Sequence, residues 1–282
     1  MSKPRKRKSA KTWERVDGRK PDELRPMHIE SGVLPNADGS AYIEMGRNKI
    51  MVGVYGPREM HPKRLSKPNL GVLRCRYHMA PFSVDPRRSP APSRRDMEIS
   101  MVMRDALEPA LFLERYPRSV IDVFVEIIQA DGGTRCASIN AAAVALADAG
   151  IPMKDLVSAC AVGKYEGKLI VDLGDYEDKK GESDMPVAYM PKFEQVTLLQ
   201  MEGILSREET EECVTMAIEG CRKVYETQKE ALKKKYAAVR EEAAKGTPEA
   251  PEPEPEPKRE EAPAEEPQEP AAEDEPQEED ER

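Results

Sequence analysis

Apolar residues alternate at Ile121, Val123, Val125 and Ile127, the period of a half-buried strand, and the alanine-rich run behind them closes at Gly150 as a helix does. Between strand and helix lies Gln-Ala-Asp-Gly-Gly-Thr-Arg-Cys-Ala-Ser, residues 129–138. Upstream, apolar runs at 41–45 and 50–55 flank Gly46-Arg47-Asn48 and predict a hairpin that Gly56-Pro57 ends. Residues 61–70 read as a basic loop, and 71–81 as a strand with Arg74, Arg76 and His78 on one face, turned to solvent or to a ligand. Ile99, Val102, Met103, Ala106, Leu107, Ala110 and Leu111 recur at helical spacing. Ser93 with Asp96 makes a capping box that starts this helix at Arg94, and Pro109 predicts a kink in it. Runs at 156–162 and 168–173 predict a second hairpin over Tyr165-Glu166-Gly167. An acidic loop follows, then a strand pair at 186–190 and 195–201. Ser206 with Glu209 is a second capping box, opening a helix from Arg207 to about Lys245. Cys213, Met216, Ala217, Gly220 and Val224 lie on one side of its first half, while the charged second half is expected to project beyond the core.

Charge divides the chain. The net charge is −9, but residues 247–282 alone carry sixteen Asp and Glu against three Lys and Arg, which leaves residues 1–246 mildly basic at +4. With nine prolines and almost nothing apolar, residues 246–282 are expected to be a disordered acidic tail. Lys3, Arg5, Lys6, Arg7, Lys8 and Lys11 make residues 1–15 a basic disordered arm, suited to nucleic acid or to the acidic tail. No apolar run follows that arm as in a secretory signal, and none is long enough to span a membrane, so a soluble cytoplasmic protein is expected. Cys75, Cys136, Cys160, Cys213 and Cys221 lack the close pairing of zinc sites or redox dithiols, which points to a reducing compartment. Cys160 reads as a small core residue. Arg135 is placed to lower the pKa of Cys136, yet no histidine lies near it in sequence to serve as its base.

Candidate chemistry centres on the glycine turn. Gly132 and Gly133 permit positive φ and close backbone approach, Thr134 offers a hydroxyl, Arg135 a fork of donors, and Ser138 is placed to cap the helix. The first amides of that helix would then face an anion, phosphate being the natural one; an ordinary turn is the alternative. No Lys-Ser or Lys-Thr follows the glycines, which argues against a nucleotide-binding kinase or ATPase. Arg94 and Arg95 sit in a first turn where the helix dipole disfavours cations, so they await an anionic partner or fray into solvent. Asp175, Glu177, Asp178, Glu182 and Asp184 crowd into ten residues. Such a cluster is either a solvated turn or a divalent-cation site with a general acid, since a carboxyl beside other anions has its pKa raised.

Taken together, DGRKPDELRP, HPKRLSKPNLGVLRCRYHMAPFS, SRRDMEIS, QADGGTRCASINAA, LADAGIPM and SDMPVA, in that order between residues 16 and 245, resemble the ribonuclease PH family and, within it, the phosphorolytic branch of the archaeal exosome. The resemblance implies an α/β (α+β) fold over 16–245, made of two similar halves, each a mixed β-sheet with helices packed on one side. It implies a heterohexameric ring of three dimers in which this subunit alternates with an inactive paralogue, beneath cap proteins that bind RNA. The implied activity is phosphate-dependent 3′-to-5′ degradation of single-stranded RNA with release of nucleoside diphosphates; the alternative is a non-catalytic RNA-binding scaffold of the same ring. By the resemblance, Gly133, Thr134, Arg135 and Ser138 hold inorganic phosphate, and Arg94 and Arg95 grip the RNA 3′ end. Asp184 donates a proton to the leaving ribose hydroxyl or joins Asp178 in holding Mg²⁺ or another divalent cation. Lys63, Arg64 and Arg118 guide the strand further along.

Overall fold

A computed structural model of the protein describes residues 15–246. The predicted arm and tail lie outside the described residues except at their edges. At one of them, Arg15, placed above in the arm, is buried in the body.

The first sheet runs β1 (Met27–Ser31), β2 (Gly39–Met45), β3 (Asn48–Glu59), β5 (Ser119–Gln129), β4 (Val72–Met79) in spatial order, with β4 parallel to β5 and the other pairs antiparallel. The hairpin over Gly46-Arg47 is present, but Gly56-Pro57 does not end β3. Proline cannot donate to the ladder, so the register shifts between Tyr55 and Arg58 and pairing resumes through Glu59 opposite Ser119. The basic face of β4 also has its explanation in the register. Arg74 stands beside Asp122 of β5 and donates to its two oxygens through Nε and Nη2, and His78 stands beside Glu126 and bonds it. Neighbouring carboxylates thus meet two of the three basic side chains, while Arg76, beside Phe124, is exposed to solvent as expected.

The capping box of α1 (Arg94–Leu107) is where the sequence puts it: Ser93 Oγ accepts from the Asp96 amide and Asp96 accepts from the Ser93 amide. Ile99, Met103, Ala106 and Leu107 are buried. Pro109 ends this helix rather than kinking it, and a 3₁₀ turn, Glu108–Ala110, follows. The alanine-rich α2 (Thr134–Asp148) packs against the first sheet on one side and the second on the other. Ala137, Ala141, Ala142, Ala143 and Ala145 are fully buried, because only small side chains let two sheets close around one helix.

The second sheet is antiparallel throughout, not mixed: β10 (Glu202–Gly203), β8 (Ser183–Met190), β6 (Ser158–Tyr165) and β7 (Lys168–Val171), with β9 (Gln195–Leu199) also on β8. Nor are its helices confined to one side. Along β6, Ala159 and Ala161 join the core around α2, while Cys160 and Val162 join Cys213, Ala217 and Cys221 of α4 (Arg207–Gly246). Gly220 permits this close approach, since a β-carbon there would meet Cys160 Sγ at 2.8 Å. The second half of α4 stays packed further than expected. Gln228 is buried and donates to the carbonyls of Asn140 and Val157, Ala231 and Leu232 lean on the core, and Lys235 pairs with Asp148. The acidic loop is also structured: α3 (Asp175–Lys180) takes its first half, and β8 begins at Ser183. Among the described residues no helix is long and apolar enough to cross a membrane.

Candidate anion-binding site

The glycine turn is held from three directions. Gly132 and Gly133 have φ of 71° and 64°, and a β-carbon on Gly132 would come within 2.6 Å of the Asp175 amide nitrogen. Arg25 donates to the carbonyls of Asp131 at 2.6 Å and Gly132 at 3.3 Å, and Asn48 donates to the Gly132 carbonyl and accepts from the Asp131 amide, each at 2.6 Å. With its carbonyls held inward, the turn presents its amides outward. Gly133, not Ser138, is the N-cap of α2, and neither a capping side chain nor an acidic residue occupies the first turn. The free amides and the positive helix end are therefore open to an anion.

Arg25 is in turn fixed by Asp172, with Nη2 at 2.6 Å and Nε at 2.9 Å from its two oxygens. Burial works against the Asp172 charge, but the hydrogen bonds and charge of Arg25 outweigh it and hold the carboxyl below its ordinary value. Replacing Asp172 with Ala strands a buried guanidinium, and we expect a loss of about 3–5 kcal/mol in urea unfolding. Because the folded pKa is depressed, the stabilisation is full above the ordinary value of 3.8 and is lost as pH falls through the folded one. The wild-type advantage over Asp172→Ala should shrink in that acid range; an advantage unchanged with pH would show that the pair does not stabilise the fold.

The carboxylates arrive by a second route. Arg15 donates to both oxygens of Glu177, at 2.9 and 2.6 Å, and to the carbonyls of Val171 and Asp172. Glu177 thus points into the protein, and Asp178, one step around α3, points out of it toward the glycine turn. Asp184 comes from β8, opposite Gly163 of β6 and Glu202 of β10. Of the five clustered acids, Asp178 and Asp184 alone line the cleft, which they share with Arg95, Gly133, Thr134 and Arg135. Asp175 pairs with Lys179 and Glu182 with Lys164. Burial and then the charge of Asp178 push Asp184 up to about 7, against Arg135. Burial raises Asp178 too, opposed by Arg95.

The other candidates are placed less centrally. Arg95 lines the cleft, while Arg94, beside it in α1, is exposed and lines neither this cleft nor the adjoining one that shares Arg95, Gly133, Thr134 and Asp178. Thr134 Oγ1 is 2.8 Å from the Tyr77 hydroxyl. Ser138 lies inside α2 with its hydroxyl buried and is not brought to the cleft. Lys63, Arg64 and Arg118 gather beyond the opposite end of β5, whose 11 residues put them roughly 30 Å from the turn. Cys136 is no thiolate: burial first, then Asp184, pushes its thiol well above the ordinary value despite Arg135. All five cysteines are free, and Cys160 is a core residue as expected.

Arg15, Arg25, Asn48, Tyr77, Asp172, Gln200 and Glu202 were not singled out from the sequence. Residues 17–25 are polar and aperiodic, and the partners of Arg15 and Arg25 lie some 150 positions away. Two sheets clasping a buried helix, whose open N-terminus faces two arginines and two carboxyls of raised pKa, define an α/β protein with a site suited to an anion and to proton transfer beside it. The chain belongs to the 3′ exoribonuclease family, that of ribonuclease PH: residues 23–152 match its domain 1 and residues 155–220 its domain 2. It is 59% identical over 232 residues to the exosome complex component Rrp41 of Thermococcus onnurineus (strain NA1), covering 82% of this chain and 93% of the relative. To the Rrp41 component of Cenarchaeum symbiosum (strain A) it is 57% identical over 222 residues, covering 79% and 91%. In fold it is similar to rice (Oryza sativa) Rrp46, with a TM-score of 0.68 at 23% identity over 76% of this chain and 98% of that one. A chain of the Archaeoglobus fulgidus exosome with RNA bound to the active site gives a TM-score of 0.68 at 24% identity, over 76% and 92%.

Proposed function

We propose that the protein is a phosphorolytic 3′-to-5′ exoribonuclease subunit of an exosome-like ring, acting on single-stranded RNA. One observation carries the reading: the glycine turn with Thr134 and Arg135 shares a cleft with Asp178 and Asp184, so an anion at the former reaches a bond that the latter can protonate. The open amides of α2 with Arg135 would bind inorganic phosphate, and Arg95 would hold a phosphate of the RNA 3′ end, with exposed Arg94 beside it. An oxygen of the bound phosphate attacks the terminal phosphodiester phosphorus, the bond to O3′ breaks, and the leaving O3′ takes a proton from Asp184. The products are a nucleoside diphosphate and an RNA shorter by one nucleotide. Because phosphate, not water, is the attacking group, the reaction is phosphorolysis rather than hydrolysis.

The main barrier is repulsion between two phosphates, which preoriented donors offset. Asp184, shifted to about 7, holds a proton near neutral pH where an ordinary aspartate has none. Among the described residues no three His, Cys, Asp or Glu gather as a metal site. As the alternative to a proton on Asp184, ionised Asp178 and Asp184 would suit a cation that keeps most of its waters, such as Mg²⁺, which would there neutralise developing charge in place of the acid. Lys63, Arg64 and Arg118, far from the cleft, would contact the RNA backbone upstream. The likeness to exosome components supports a ring with paralogous subunits acting on RNA, and RNA-binding caps over that ring belong to the proposal.

The test assembles this chain with its paralogous subunit, confirms a ring by native mass, and supplies single-stranded RNA with and without phosphate. Nucleoside diphosphates are expected only with phosphate. A ring that binds RNA and releases none at any phosphate concentration is a scaffold, not this enzyme.

A further inference from the structure

Resting on the phosphorolytic reading, we infer that Gln200, on the β9–β10 connection, and Glu202, at the start of β10, set the affinity of the cleft for inorganic phosphate through their contacts with Arg135. Gln200 is a positioning residue, and Glu202 is an internal counter-anion that the phosphate displaces.

The geometry gives the two residues opposite parts. Arg135 is nearly buried, with a side chain 11% exposed. Its Nη1 donates to Gln200 Oε1 at 2.6 Å, its Nη2 is 3.7 Å from Glu202 Oε1, and its Nε is buried with no hydrogen-bond partner among the described residues. A guanidinium offers five donors in one plane, so a single strong contact at Nη1 sets the direction of the rest. The Gln200 backbone is itself held, its main-chain N–H donating to the carbonyl of Pro186, a residue of the cleft wall. Being neutral, the Gln200 amide orients Arg135 without cancelling its charge.

Glu202 is placed otherwise. It sits across from Asp184 in the β10–β8 register, yet its side chain is 69% exposed. An ion pair so open to water and so long is weak, so the carboxylate can yield Arg135 to a better anion. Until it does, it both occupies the guanidinium and repels the incoming phosphate. The orienting amide therefore strengthens phosphate binding and the carboxylate weakens it.

The experiment uses the assembled ring and measures diphosphate release against inorganic phosphate concentration, at saturating RNA and fixed ionic strength. Gln200→Ala is expected to raise the phosphate KM about tenfold, as for a lost hydrogen bond to a charged group. Glu202→Gln is expected to lower it by about threefold, the scale of an exposed pair. In both variants kcat and the RNA KM should stay within about twofold of wild type. A purely structural role cannot move one constant in opposite directions at two neighbouring positions. If Gln200→Ala fails to fold, Glu202→Gln decides alone, since its side chain is mostly in solvent. Unchanged phosphate KM, or a fall in kcat with phosphate KM constant, overturns the inference while phosphorolysis stands. A wild-type ring indifferent to phosphate overturns both.

Discussion

Asp184→Asn is expected to cut kcat by about 10² to 10⁴ at saturating phosphate and RNA, the span of a lost general acid, while RNA affinity stays within about twofold. Asparagine keeps the shape of the side chain and the β8 register with Gly163 and Glu202, so the cleft is preserved. It cannot release a proton to the leaving O3′. RNA is held by other groups, Arg95 of the same cleft and the distant basic cluster, so binding should be spared. Stability has its own sign. Burial and Asp178 raise the Asp184 pKa, so its cost to folding grows as pH rises from the ordinary 3.8 to about 7 and stays full above that, and the neutral amide removes it. The variant should melt no lower than wild type, and higher on the alkaline side. Loss of turnover with gain of stability is what a strained functional group produces. Full turnover in Asp184→Asn would remove it as the acid.

Arg135→Ala is expected to lower kcat/KM for phosphate by 10² to 10³, from the roughly 2.7 to 4 kcal/mol of one preoriented donor. The loss should fall chiefly on the phosphate KM, since the α2 amides and the carboxylates remain. It is deepened by what the arginine leaves behind, because Glu202 then faces the anion with no cation between them. Titrating diphosphate release with phosphate at saturating RNA separates this from damage to RNA binding. Arg95→Ala serves as the contrast, raising the RNA KM instead. A phosphate requirement unchanged in Arg135→Ala would place the anion elsewhere.

The parts of the fold legible in the sequence are those written at short range. A capping box needs only positions three apart, so the starts of α1 at Arg94 and α4 at Arg207 were readable to the residue. The alternation at 121–127, the glycine pair and the alanine run likewise announced strand, turn and helix. The acidic segment misled because its structure comes from other segments. Asp184 is in a strand because β6 and β10 pair with it, and Asp178 faces the cleft because Arg15 draws Glu177 the other way. Ser138 misled for the reverse reason: serine is a common helix cap, but the positive φ of Gly133 already provides the turn.

By itself, then, the sequence determined which elements form, which faces are apolar, the family and the chemical inventory of the site, because each is encoded in spacings of a few residues. Tertiary structure alone decided which members of that inventory meet. It put Arg135 beside Asp178 and Asp184, 43 and 49 positions on in the chain, clamped the glycine turn with Arg25 and Asp172, and turned these two of five acids into the cleft while the rest paired on the surface or in the core. The physical reason is that a carboxylate or an arginine has no preferred partner until folding fixes distance and burial, and those two quantities set both the pairing and the pKa.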